Sequence, residues 1–163
     1  CATHCIDLIF EDFEKQLKVH ETTIKKGRRI TTYIYGRAML ITILKKFTNG
    51  RELIRPEMTR FVIAYFTLVC LYEMKTSLMT MFNSEEWKTS KFGTSQEGKK
   101  VENMILDSRF WKNISTCLKV VAPLMVVLRL VDSDAKPAMG FIYEEMDRAK
   151  EKIKNNFNHS KKR

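Results

Sequence analysis

The residues best suited to chemistry stand at the start of the chain. Cys1, His4 and Cys5 lie within five positions, and thiolate and imidazole are the usual ligands of zinc. A structural zinc site needs four ligands, usually from two pairs. The remaining candidates, His20, Cys70, Cys117 and His159, are scattered singly. Cys70 and Cys117 fall inside apolar stripes, where cysteine behaves as a small hydrophobe. No second pair exists, so no metal site is expected, and four cysteines spaced this way suggest free thiols rather than a disulfide framework.

A second stretch, Gly93-Thr-Ser-Gln-Glu-Gly98-Lys99-Lys100, has the outline of a phosphate-binding loop. That loop requires Ser or Thr after its lysine to hold magnesium, and a buried strand before its first glycine. Here Lys100 stands at the hydroxyl position and the preceding residues are polar, so the glycines are expected to serve a turn. Nucleophilic catalysis has no G-x-S-x-G or paired Ser/His arrangement to rest on. Metal-dependent nuclease chemistry needs carboxylates that converge. The acids of Asp132-Ser-Asp134 and Glu144-Glu145 read instead as helix-end and surface groups. No catalytic residue and no cofactor is assigned to the chain.

The positions of these groups follow from elements whose period is helical throughout. Ile6, Ile9, Phe10, Phe13 and Leu17 form one stripe, the mark of an amphipathic helix. A helix is expected over about 20–47, with Ile30, Ile34, Leu40, Ile41 and Leu44 aligned. Ile30–Tyr35 is β-branched and aromatic enough for a strand, and Asn49-Gly50 has turn chemistry. Pro56 opens a helix expected to run through the apolar stretch Phe61–Tyr72 to about Phe82. That stretch is shorter than the roughly 20 residues that span a bilayer, and no membrane partner is expected. Ser84 with Glu85 and Glu86 suggests a fresh helix cap, and 91–98 a loop. Ile114, Leu118, Val121, Met125 and Leu128 define a long helix, which Pro123 should kink. Met139, Ile142, Met146, Ala149 and Ile153 define the last helix. The expected fold is all-α, a bundle of six or seven helices.

The charge is uneven. Lys15–Arg60 holds twelve basic residues and three acidic ones, close to the whole net charge of +10. Such a block can steer a polyanion, and it can equally be a solvated face.

Several stretches together resemble the hAT superfamily of transposases, in its plant-type form. Cys1 and His4 fit a C-x-x-H pattern, and Pro56-Glu-Met-Thr59-Arg60-Phe61 is similar to a P-x-x-T-R-W motif with Phe61 for Trp. Phe110-Trp111, Val121-Ala-Pro-Leu124 and Lys136-Pro-Ala-Met-Gly140 resemble later parts of the same helical region. The resemblance implies that residues 1–55 adjoin a ribonuclease-H-like core. It also implies that 56–157 form an all-helical insertion domain; 158–163 reads as a disordered basic tail. It implies a nuclear, intracellular, DNA-engaging piece of a transposable-element protein, bound to the rest of its parent polypeptide. By the same resemblance the catalytic acids, and the divalent metal they would hold, are expected outside this chain. DNA contacts are then expected from Arg28, Arg29, Arg55, Thr59, Arg60 and Phe61, the ring stacking on an unpaired base. The alternative is a helical protein-interaction module that binds no DNA. The sequence leaves the oligomeric state open.

Overall fold

The computed structural model describes the backbone over residues 2–53, 61–132 and 139–161, and side chains over 4–53, 61–131 and 140–156. The all-α expectation is met, but with more helices than the six or seven expected: the described residues hold nine helices and no strand. They are α1 (Ala2–Gln16), α2 (Lys18–Tyr35), α3 (Ala38–Phe47), α4 (Phe61–Glu73), α5 (Lys75–Asn83), α6 (Glu85–Lys88), α7 (Gln96–Leu106), α8 (Ser108–Asp132) and α9 (Met139–Lys161). The domain boundary expected at 55/56 and the helix start at Pro56 lie outside the described residues.

Two elements are subdivided where one helix was expected. The 20–47 segment breaks at Gly36-Arg37: Gly36 caps α2 with its N–H on the Thr32 carbonyl, and Arg37 is extended. Ile30–Tyr35 is helical, because Ile30, Thr31 and Ile34 all turn inward at helical spacing. The apolar stretch likewise ends at Glu73, and α5 leaves α4 at 64°. No proline or glycine marks this bend; Leu71, Met74 and Leu78 stay buried across it. The Asn49-Gly50 turn is present, both residues having positive φ (55° and 83°). Gly50 N–H bonds back to the Lys45 carbonyl and closes the end of α3.

One set of buried side chains runs through the described helices, from Ile6 and Phe10 in α1 to Ala149 and Ile153 in α9. The spine is α8, which packs on α1, α2, α4, α7 and α9. Its stripe behaves as expected: Ile114, Val121, Met125 and Leu128 are buried, with Leu118 partly so. Over Ser108–Val131, α8 is also long and apolar enough to cross a bilayer, a property the shorter 61–72 run had hidden. α3, α5, α6 and α7 form a second group of contacts around Phe82 and Trp87, whose rings lie 4.4 Å apart. α9 rests mainly on α8, and its helix continues to Lys161, into the tail expected to be disordered.

α8 is continuous through Pro123. Proline has no N–H to offer the carbonyl four residues back, which here belongs to Lys119. The Asn156 side-chain amide, from α9, donates to that carbonyl at 3.2 Å. The neighbouring helix thus supplies the bond that the proline removes.

Candidate functional site

Among the described residues, polar or exposed groups gather in the basic block, in a polar cluster inside the core and in the groove between α8 and α9.

The basic block is largely paired by the fold. Arg28 meets Glu14 at 3.0 Å, and Arg29 meets Glu97 at 2.7 Å. Lys46 pairs with Glu86 and Arg51 with Glu73. Lys15 pairs with Glu11, Lys25 with Glu21 and Lys45 with Glu52. Five of these seven acids come from outside the 15–60 window, so counting charge along the sequence overstated the local field. Arg37 lies over the Tyr33 ring at 3.8 Å and donates to the Tyr33 carbonyl. Phe61 begins α4 and packs partly buried on the core, with the Lys15 ammonium 5.9 Å from its ring centre. Asp7 accepts the next backbone N–H, that of Val62, and so caps this helix. Arg55, Thr59 and Arg60 lie outside the described residues, as does Cys1. His4 and Cys5 are exposed, and no group of three or more metal-ligating side chains occurs among the described residues.

The stretch resembling a phosphate loop is a self-contained turn. Ser90 Oγ donates to the Trp87 carbonyl and accepts the Gly93 N–H; Ser95 Oγ donates to the Phe92 carbonyl and accepts the Gly98 N–H. A Cβ on Gly93 would stand 2.1 Å from the Trp87 oxygen, and one on Gly98 1.8 Å from the Phe92 oxygen. The glycines therefore admit close backbone approach, and their own N–H groups are taken by the two serine hydroxyls.

The polar cluster lies between α1, α2, α4 and α8, an arrangement the one-dimensional stripes did not disclose. His20 Nδ1 shares a 3.0 Å hydrogen bond with the Tyr65 hydroxyl, 45 residues away, and both side chains are buried. Phe10 and Phe13 cover the pair. Burial lowers the His20 pKa to about 4, so the imidazole is neutral at physiological pH. Burial also raises Tyr65, with the Cys117 and Glu14 charges adding to the effect. Cys117 is fully buried and pushed up to about 11 by burial, against an opposing hydrogen bond with Thr23. A thiol held protonated this way is a poor nucleophile. Glu14 gives one oxygen to Arg28, and its other oxygen is buried with no hydrogen-bond partner in the protein. His20, Tyr65 and Cys117, neutral and buried, suit a core network better than a reactive centre.

The groove between α8 and α9 is an open site. It holds about 470 Å³, and Pro123, Val126, Lys119, Arg148, Lys152 and Asn156 are among the residues that shape it. Its apolar wall is exposed at Val126, which keeps 56% of its surface in solvent; beyond the lining residues, one helical turn before Glu145 on α9, Phe141 keeps 44%. Arg148 donates to Glu144 and Glu145. Lys119 and Lys152 have no ion-pair partner among the described residues. Of the residues lining the groove only Ala149 belongs to a hydrophobic stripe; Val126, Lys119, Arg148 and Lys152 lie between the stripes, which therefore did not point to it.

Comparison with protein families, with curated proteins and with solved structures gave no match. The resemblance to hAT transposases therefore finds no support. The transposable-element, ribonuclease-H-like and DNA-binding reading built on it is corrected to an all-helical fold.

Proposed function

We propose that the chain is a helical protein-interaction module whose contact surface is the α8–α9 groove. The observation that supports this reading is the exposure of Val126 beside Pro123 in an otherwise core-forming helix. A two-helix arm with an apolar wall facing solvent is the arrangement that receives a third helix. The buried polar cluster offers no accessible reactive group to compete with it, and the turn around Gly93 and Gly98 has its glycine N–H groups engaged.

Selection from a displayed library of random helical peptides tests the reading. Peptides enriched on the wild-type protein should lose binding to Val126→Asp, whose fold is checked by far-UV circular dichroism. Because Val126 is mostly exposed, the substitution should leave the unfolding midpoint close to that of the parent. Enrichment that is indifferent to Val126→Asp, or no enrichment at all, would remove the groove as the contact surface.

A further inference from the structure

The groove has two unlike ends, and their order follows from the antiparallel run of α8 and α9. Asn156 meets the Lys119 carbonyl at one end, whereas Val126 lies near Glu145 and Arg148 further along. Phe141, Glu145, Arg148 and Lys152 step by four, three and four, so helical geometry sets them on one face of α9. Phe141, beyond the lining residues, continues this face by one turn at the apolar end, and Lys152 belongs to the polar end. Phe141 to Lys152 covers roughly 16 Å at 1.5 Å per residue, a length of about three helical turns.

The charges at the two ends differ in kind. Arg148 is neutralised by Glu144 and Glu145, at 3.2 and 2.8 Å. Lys119 and Lys152, from opposite walls, are both exposed and unpaired among the described residues. A ligand that covers Val126 and Phe141 brings its other end between these two ammonium groups. Carboxylates there would be matched, and further ammonium groups repelled.

We infer that the groove takes an acidic amphipathic helix of about three turns, its apolar stripe on Val126 and Phe141 and its carboxylates between Lys119 and Lys152. This rests on the groove being the contact surface. The choice of a helix rather than a membrane follows from shape. A helix sits 8–10 Å from each of two neighbouring axes and touches both walls. A flat bilayer meets only the rims and leaves the floor at Pro123 uncovered.

The test uses two synthetic 14-residue peptides with one leucine stripe, flanked by Glu in the first and by Lys in the second. Fluorescence anisotropy on the full chain should show the Glu peptide bound at least tenfold more tightly than the Lys peptide. The double variant Lys119→Glu/Lys152→Glu should reverse that preference, and Val126→Asp should weaken both peptides. Both lysines are exposed, so an intact fold is expected and is confirmed by circular dichroism. Equal binding of the two peptides by the wild type, or a preference unchanged in the double variant, would overturn the acidic occupant. Sedimentation with phosphatidylserine vesicles is the lipid arm. Val126-dependent vesicle binding without a preference for the Glu peptide would assign the groove to lipid and also overturn it. The library selection separates the two levels. Val126-dependent peptides that are not acidic retain the groove and reject this occupant, whereas the absence of any Val126-dependent peptide rejects both.

Discussion

Asn156 on α9 donates its side-chain amide to the Lys119 carbonyl of α8, the acceptor that Pro123 leaves without a backbone donor. The bond does two things at once: it satisfies a helical carbonyl and fixes the register of α9 along α8. Asn156→Ala should cost about 0.5–1.5 kcal/mol, at the low end because water can reach this exposed site. In a Pro123→Ala background the backbone supplies the donor itself, and the Asn156→Ala effect should vanish. A double-mutant cycle by urea denaturation checks this; equal costs in both backgrounds would show that Asn156 acts independently of the proline.

Stability should fall on acidification through a step that belongs to His20. Its pKa is lowered from 6.5 to about 4 in the folded state by burial, so the unfolded chain binds the proton more readily. Above 6.5 the imidazole is neutral in both states and no stability is lost. Between 6.5 and 4 the unfolded state gains the proton, and about 3 kcal/mol is lost by the lower end. His20→Gln keeps a hydrogen-bonding partner for Tyr65 without the titration. Denaturant midpoints measured from pH 7 to pH 4 should therefore fall less steeply in the variant. Parallel curves would place the acid sensitivity elsewhere.

Gly98, in the first turn of α7, and Gly140, in α9, should respond in opposite directions to the same substitution. Gly98→Ala forces a Cβ against the Phe92 carbonyl, a backbone atom that cannot swing away, and should cost about 2 kcal/mol or more. Gly140 has open space around its Cβ position and lies in a helix, so Gly140→Ala should be neutral or stabilising by up to ~1 kcal/mol. Thermal unfolding of both variants measures the difference. A stable Gly98→Ala protein would contradict the close packing of the turn.

Trp111 should matter for its nitrogen as well as its bulk. Its Nε1–H donates to the Ile105 carbonyl at 2.7 Å, near the C-terminal end of α7, where carbonyls lack helical donors. Trp111→Phe keeps most of the apolar contact and leaves that buried acceptor empty, at a cost of about 1–3 kcal/mol. Equilibrium denaturation followed by circular dichroism reads the change. A loss below a few tenths of a kcal/mol would mean that water replaces the indole.

Helix periodicity was legible wherever a stripe of large side chains met one face. The α8 stripe from Ile114 to Leu128 and the α9 pair Ala149 and Ile153 are buried as their spacing implies. The Ser84 cap was legible too: its hydroxyl accepts the Trp87 N–H. The breaks at Gly36-Arg37 and Met74 were not, because residues on both sides face the core and the hydrophobic pattern runs on across the turn. α7 was missed for the opposite reason. It buries Gly98, Val101 and Ile105, too thin an apolar stripe to stand out among lysines and glutamates. The site was less legible than the fold. Charge counted along 15–60 could not anticipate that Glu73, Glu86 and Glu97 fold back onto Arg51, Lys46 and Arg29. The His20–Tyr65 bond joins helices 45 residues apart, and no local pattern announces such a pair.

The position of α8 as the spine has a consequence for the order in which the molecule assembles. α1, α2 and α4 each pack against a helix that begins only at Ser108. A growing chain therefore carries Ile6, Phe10 and Tyr65 without part of their final cover until α8, which begins at Ser108, has been made. Closing such distant contacts is slow compared with forming helices. In that interval the early helices would be clients for any chaperone that recognises unshielded aliphatic and aromatic surface. By the same geometry, a nascent chain stopped before α8 lacks the helix on which α1, α2, α4, α7 and α9 all pack.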